Sequence, residues 1–363
     1  VHVVIAPDSF KGTATAAAVA TAIAEGWAEG RPDDVLTLVP MADGGEGTLT
    51  AFATAFPDAR HVPVTVTGPA GDPVDTWWLS LPDGRAVVEL AAMSGLPLLT
   101  TLEPDRAQTT GFGEAIVAAL DAGATGLVLG IGGSASTDGG AGLLRALGLS
   151  LDDAPAGGSL LDAAGDHPID TTGLRPLPPL GVTVLTDVTS PLLGPSGAAA
   201  VFGPQKGVTP DRVAVHEDRL ARWAARFPDV DPDLPGAGAA GGAGFGLLVW
   251  GATLAGGASA VAGVLGLPDA IADADVVVTG EGRYDGQSAA GKVPSVVLAM
   301  AADRPTMLVA GEVDAPVDAF AAAASLTVIA TQTTGEPGDA MTDPLRFVRI
   351  AGRRLSARVE HSR

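Results

Sequence analysis

The sequence predicts an α/β protein of two domains, a doubly wound parallel sheet built from both ends of the chain and a mixed α/β domain inserted between them. Three observations carry this. Strand-length runs of Val, Ile and Leu alternate with helical patterns near both termini, which is the rhythm of parallel sheets. The middle of the chain instead shows closely spaced strands joined by tight turns, the grammar of an antiparallel meander. With 363 residues the chain is long enough for both parts.

Taken in order, residues 1–6 read as a first strand, 13–27 as a helix, 35–39 as a second strand and 48–56 as a second helix. Runs at 61–67, 76–81 and 86–90 are strands, with Gly71-Asp72-Pro73 and Pro82-Asp83-Gly84 as the turns between them. Further strands are expected at 127–131 and 182–185. A helix starts at Thr209-Pro210-Asp211, with Thr209 placed to cap it and proline at its first position. After Asp275 the parallel rhythm returns, with strands at 276–278, 306–309 and 326–330 and a helix at 294–302. The five terminal strands make one sheet. This sets the boundaries at 1–60 plus 272–363 for one domain and 61–271 for the inserted one, with a cleft expected between them.

Composition narrows the function. Hydrophobic residues make up 47% and charged residues 17% of the chain, a globular balance. The net charge of −21 repels nucleic acid and anionic membranes. It repels ATP as well, so a nucleotide site must be locally basic or use a divalent cation. The absence of cysteine excludes disulfides, thiolate nucleophiles, iron–sulfur clusters and cysteine-held zinc, and suits a reducing compartment. Residues 1–6 lack the basic start and cleavage site of a leader, and no apolar run approaches a membrane span. The five histidines, His2, His61, His167, His216 and His361, show no metal-ligand spacing and read as surface or structural residues.

The chemistry lies in glycine-bordered loops. The chain has three lysines, Lys11, Lys206 and Lys292, and each stands beside a glycine. Such a loop brings a compact ammonium close to a phosphate or carboxylate. Asp8-Ser9-Phe10-Lys11-Gly12 joins a strand to a helix, where backbone N–H groups favour an anion. Asp43 and Glu46 are two carboxylates three residues apart in a glycine-rich loop, suited to Mg²⁺ or a substrate hydroxyl. The loop from Gly130 to Gly140, with Gly132, Gly133 and Ser134, offers bare amides and hydroxyls that can cradle phosphates. Asp187 follows a strand, and Phe202–Gly207 holds Lys206. Glu281, Arg283, Asp285 and Lys292 crowd one strand-exit loop. Gly286–Lys292 matches a P-loop until Val293 replaces the metal-binding hydroxyl, and Gly236–Gly241 follows a loop rather than a strand, so neither is a nucleotide signature.

In this order the loops resemble the bacterial glycerate kinase family: APDSFKG at 6–12, PMADGGEGT at 40–48, GIGGSASTDGGAG at 130–142, TDVTSPLLGPSGAAAVFGPQKG at 186–207, GAAGGAGFGLL at 238–248 and TGEGRYDGQSAAGKVP at 279–294. The resemblance implies a flavodoxin-like domain with an inserted mixed α/β domain, and a cytoplasmic enzyme that phosphorylates D-glycerate with ATP and Mg²⁺. Phosphoryl transfer asks mainly for positioning and charge neutralisation. The roles expected are therefore Asp187 as general base; Lys11, Lys206 and Arg283 on the reacting anions; Gly132, Gly133, Ser134 and Lys292 on the nucleotide; Asp8, Ser9 and Ser190 on glycerate; and Asp43, Glu46, Glu281 and Asp285 on metal. Ser190 stands where the family commonly has asparagine, and Ser136-Thr137 replaces a Thr-Asn pair, departures that bear on substrate affinity. A kinase for a related hydroxy acid and a non-catalytic sugar-acid sensor are the alternative readings.

Overall fold

The computed structural model describes residues 1–10, 12–42, 44–151, 157–163, 168–286 and 292–359. The chain divides into two compact units, the first Val1–Ala42, Thr50–Pro57 and Gly257–Arg363, the second Asp43–Leu49 and Asp58–Gly256. Through the described residues run eleven strands: β1 (His2–Pro7), β2 (Val35–Leu38), β3 (Arg60–Thr67), β4 (Pro73–Ser80), β5 (Arg85–Glu89), β6 (Gly126–Gly130), β7 (Val182–Leu185), β8 (Thr253–Ala255), β9 (Val276–Tyr284), β10 (Thr306–Val313) and β11 (Ala322–Ser325).

The first unit holds a parallel sheet in the order β11-β10-β9-β1-β2. Counted within the unit from the β2 edge, this is the 2-1-3-4-5 order of flavodoxin-like sheets. Val3, Val4 and Ile5 of β1 are all buried, as a strand covered on both faces requires. The Ala16–Gly30 helix buries Val19, Ile23 and Trp27, four residues apart, and Thr15 caps its start by accepting from Ala18 N–H at 3.2 Å. The Pro344–Ser356 helix adds Phe347, Val348, Ala351 and Leu355 to the same core.

Residues 326–330, expected as the fifth strand, are helical: the helix is Leu326–Thr334 and the strand is Ala322–Ser325. The buried residues Leu326, Ile329 and Ala330 fall at i, i+3 and i+4, the spacing of a helix face. The β-branched run hid that spacing, and Gly335, left-handed at φ 89°, ends the helix.

The second unit has a mixed sheet, β3-β4-β5-β6-β7-β8, antiparallel from β3 to β5 and parallel from β5 to β8. Its core gathers Val88, Phe112, Leu129, Trp223 and Phe245. The helix expected at Thr209 begins as a tight turn, Pro210–Arg212, before Val213–Ala224; Thr209 is extended there and makes no side-chain cap bond. His216 on that helix is 1% exposed, 3.6 Å from Asp105, in a network where Arg219 bonds Asp105 at 2.5 Å and Asp162 at 2.6 Å. His167 and His361 lie outside the described residues. No helix of the described residues is long and apolar enough to cross a membrane.

Candidate active site

Ligands of open α/β sheets seat beyond the carboxyl ends of the strands, where the strand order reverses. In the first unit that point falls between β1 and β9. The two strands are stitched together there: Thr279 Oγ1 donates to Ala6 O at 2.9 Å and Asp8 N–H to Gly280 O at 2.8 Å. Ser9 N–H turns back onto Asp8 Oδ1 at 2.6 Å. Pairing with β1 stops at Gly280, while β9 continues against β10 as far as Tyr284. That overhang carries Glu281 and Arg283 past the switch point.

Lys292 stands at the start of the Val293–Ala301 helix, its Nζ 3.7 Å from Glu281 Oε2 and 3.6 Å from Asp285 Oδ1. The fold thus brings Glu281, Asp285 and Lys292 together from separate parts of the sequence motif. Arg283 is exposed and bound to Asp314 at 2.6 Å, with Glu312 at 3.7 Å. Tyr284 packs edge-on against Phe320, ring centroids 5.6 Å apart. Lys11, Asp43 and residues 287–291 lie outside the described residues.

In the second unit the parallel strands β5, β6 and β7 end in the remaining loops. Leaving β6, Gly133 is exposed, and Ser134 through Gly140 are buried. Backbone bonds from Leu96 N–H to Gly133 O and from Ala135 N–H to Ser94 O, both 3.0 Å, pin the loop to the segment after β5. Lys206 ends the Pro204–Lys206 turn, is 2% exposed, and donates to Ser134 Oγ at 2.8 Å and to Ser136 O at 2.5 Å. Burial pushes its ammonium down to about 7, while the charge of Asp138 pulls the other way.

The wall beside this lysine is bare backbone. Ala240, Gly241 and Gly242 are left-handed in succession, at φ 55°, 68° and 89°. A side chain at Gly241 would strike Ser136 O and stand 2.7 Å from Lys206 Nζ. Ala240 is held in a conformation that L-residues avoid, a form of strain that clusters at functional sites.

Two buried carboxylates shape the loops. Asp138, 0% exposed, accepts from Thr109 N–H and Oγ1 at 2.9 and 2.8 Å and from Gly140 and Gly142 N–H at 3.1 and 3.3 Å. Glu89, 4% exposed at the end of β5, accepts from Gly47 and Leu49 N–H at 3.1 and 2.8 Å and so holds the start of the Thr48–Ala55 helix. Gly132 N–H donates to Gly44 O at 2.8 Å, and a side chain at Gly132 would stand 2.5 Å from Gly45 Cα. Glu46 projects from this clamped loop, exposed.

Past β7, Asp187 is exposed, and Thr186 Oγ1 accepts from Val188 N–H at 3.2 Å. Ser190 O takes the N–H groups of Gly236 and Gly238 at 3.2 and 3.0 Å. Among the described residues no group of three or more His, Asp or Glu side chains could hold a metal.

Sequence reasoning did not single out Glu89, Asp138, Thr109 or the turn at 240–242. Asp138 lay inside the glycine-rich loop already noted, and Ala240-Gly241-Gly242 within the 238–248 block, its first two residues also in the 236–241 run rejected as a nucleotide signature. Glu89 gave no signal beyond ending a strand.

Known proteins agree with this architecture. The sequence pattern described as the glycerate kinase family matches residues 3–360. The chain is 45% identical over 308 residues to glycerate 2-kinase of Escherichia coli K12, covering 80% of each protein. It is 42% identical over 335 residues to glycerate kinase of Bacillus subtilis 168, covering 86% of this chain and 85% of that one. Among solved structures, a protein assigned as glycerate kinase 2 of Salmonella typhimurium LT2 superposes with a TM-score of 0.82 at 39% identity, over 98% of this chain and 97% of the other. With a family pattern spanning nearly every residue and relatives at this level of identity, the chain belongs to the glycerate kinase family.

Proposed function

We propose that the chain transfers the γ-phosphoryl group of ATP to D-glycerate, forming 2-phospho-D-glycerate with Mg²⁺ accompanying the nucleotide, in the cytoplasm. The observation that carries this is the 45% identity to a protein named glycerate 2-kinase. The loops agree with it in kind, since glycine-lined backbone, a few cations and paired carboxylates are what phosphoryl transfer needs.

In this reading the second unit supplies the enclosed cation Lys206 with Gly132, Gly133 and Ser134 beside it, Asp187 as general base, and Ser190 near the substrate. The first unit supplies Asp8 and Ser9 at its switch point, with Arg283 and Lys292 as further cations; Lys11, outside the described residues, serves with them. We also propose two domains, with 61–271 inserted between 1–60 and 272–363; the compact units differ from these bounds in taking 43–49 into the second and 257–271 into the first. As the glycerate hydroxyl oxygen bonds the γ-phosphorus, its proton passes to Asp187 and ADP leaves.

Mg²⁺ is ordinarily held by one or two carboxylates together with substrate phosphates and water. Glu281 and Asp285, hard oxygen donors drawn to one cation within 4 Å, fit that demand without a three-ligand cage. They would hold the metal in the first unit, which when bound would neutralise phosphate charge; Asp43 and Glu46 are proposed as metal carboxylates of the second unit in their own right.

Coupled measurement of ADP release with D-glycerate, followed by phosphorus NMR of the product, tests the reading. The expected product is 2-phosphoglycerate. A 3-phosphoglycerate signal overturns the regiochemistry, turnover only with tartronate or hydroxypyruvate moves the substrate, and glycerate binding without turnover makes the protein a sensor. Asp187→Asn is expected to lower kcat by about 10²–10⁴-fold with KM little changed. Near-normal kcat in that variant removes Asp187 from the role.

A further inference from the structure

A lysine ammonium has three donors to place. Lys206, 2% exposed, places two of them, on Ser134 Oγ and Ser136 O. Among the described residues nothing takes the third. The same loop system holds oxygens in a like condition: Ser94 Oγ, Ser136 Oγ and Thr137 Oγ1 are buried with no hydrogen-bond partner. Ser94 belongs with the other two because its carbonyl accepts from Ala135 N–H at 3.0 Å. Buried polar groups are normally satisfied, and three exceptions in the backbone segments that hold Lys206 call for an explanation. Gly133, next to Ser134 in sequence, is exposed.

We propose that the third donor of Lys206, with these hydroxyls, receives an anionic substrate oxygen, carboxylate or phosphoryl, and that seating this anion fixes a proton on Lys206. This rests on the reading of the chain as a glycerate kinase and deepens it, since substrate binding becomes a proton-uptake step. An anion brought against a buried ammonium favours its charged form. Without that anion, enclosure leaves Lys206 at about 7, well below the ordinary 10.5.

Among the described residues few charges face Lys206, and Asp138 is the one that acts on it. Its own loop system contributes Asp138, whose carboxylate is already occupied by Thr109, Gly140 and Gly142. The turn at 239–242 is Ala-Ala-Gly-Gly and has no ionisable side chain. Leu102 and Pro104 pack beside Gly207 and bring Glu103 between them, 3.8 Å from Arg106. A ligand anion is therefore the charge that moves the balance.

The three lysines of the chain make this directly readable. Protein carrying ¹³Cε-lysine is titrated with pH by NMR, alone and saturated with D-glycerate, with ATP, or with inorganic phosphate; Lys11→Arg and Lys292→Arg assign the signals. One resonance, that of Lys206, is expected to titrate near neutral in the free protein and to move its midpoint by at least one pH unit upward when the anion seats. A shift with glycerate alone identifies a carboxylate, and one with ATP or phosphate a phosphoryl group. The proposal is overturned if the Lys206 midpoint is unmoved by all three anions, or if the moving signal belongs to Lys11 or Lys292. The outcome separates from that of the function: a midpoint raised by phosphate in a protein that never phosphorylates glycerate keeps this inference and removes the kinase reading. Calorimetry in two buffers of different ionisation enthalpy provides the second check, with uptake expected in the wild type and abolished in Lys206→Met.

Discussion

Lys206 of the second unit and Lys292 of the first are the same residue in opposite surroundings. Lys206 is 2% exposed, held by a hydroxyl and a carbonyl, and walled by backbone. Lys292 has a side chain 41% exposed and stands near two carboxylates at 3.6 and 3.7 Å. The Lys292–Asp285 pair, with side chains 41% and 31% exposed, is of the kind that contributes about 0–1 kcal/mol and is screened by salt, although Glu281, at 7%, is enclosed. Charge enclosed in a low dielectric interacts far more strongly with whatever it meets, and it costs more to keep. The lesson is that enclosure ties Lys206 to both fold and ligand, whereas Lys292 keeps much of its contact with water.

The largest expected effect breaks or keeps that contrast. Lys206→Met should lower kcat/KM for glycerate phosphorylation by about 10²–10³-fold, the loss typical of one preorganised electrostatic contact. Lys292→Met should cost about tenfold, mostly in KM for the nucleotide, and its effect should shrink in high salt. Equal losses in steady-state kinetics would erase the distinction.

Stability should move the other way for Lys206. Its pKa is about 7 in the folded protein and 10.5 in the unfolded chain, so between those values the unfolded chain binds more protons. The cost of enclosing the cation is thus full below about 7 and is relieved as pH rises toward 10.5. Lys206→Met should raise Tm more at acidic than at alkaline pH in thermal melts. A Tm gain that grows with pH would contradict the enclosure of a charged lysine.

A smaller effect tests the wall. Gly241→Ala imposes a left-handed alanine and presses a methyl group toward Lys206, at an expected cost of about 1–3 kcal/mol by chemical denaturation. An unchanged midpoint would show that the turn is free to relax.

The smallest effect concerns a buried base away from the loops. Burial, and then the charge of Arg219, hold His216 below its ordinary 6.5. The unfolded chain takes up that proton more readily, so stability is lost as pH falls through about 6.5 toward the folded value. His216→Leu should flatten this part of the Tm profile by a few degrees. A slope unchanged in the variant would assign the acid sensitivity to the carboxylates instead. Asp162, which Arg219 bonds most strongly, and Asp105, which Arg219 and Arg212 hold despite the opposing effect of burial, both ionise below the usual carboxylate range.

Much of the fold was legible in the sequence because it rests on local pattern. The runs at β1, β2, β6 and β7 are short, apolar and bounded by turn residues, so their period and length sufficed; for β9 the same signal gave only 276–278, the start of a strand that runs to Tyr284. Residues 326–330 defeated the same reasoning: a five-residue run with three β-branched side chains fits either element, and burial on the helical face decided. Of the candidate site, the glycine loops and their lysines were readable because glycine beside a cation has a local meaning. Glu89 and Asp138 were not, since each acts on backbone groups distant in sequence: Glu89 reaches Gly47 and Leu49, and Asp138 reaches Thr109.

By itself the sequence determined the α/β class, the strand rhythm at both ends, the order of the six loops and the family they resemble. The tertiary structure alone decided that Lys206 is enclosed while Lys292 is half in water, and that residues 240–242 turn left-handed against it. The physical reason is that periodicity and turn chemistry are carried by neighbours along the chain. Burial, dielectric and the partners of a charge are set by neighbours through space.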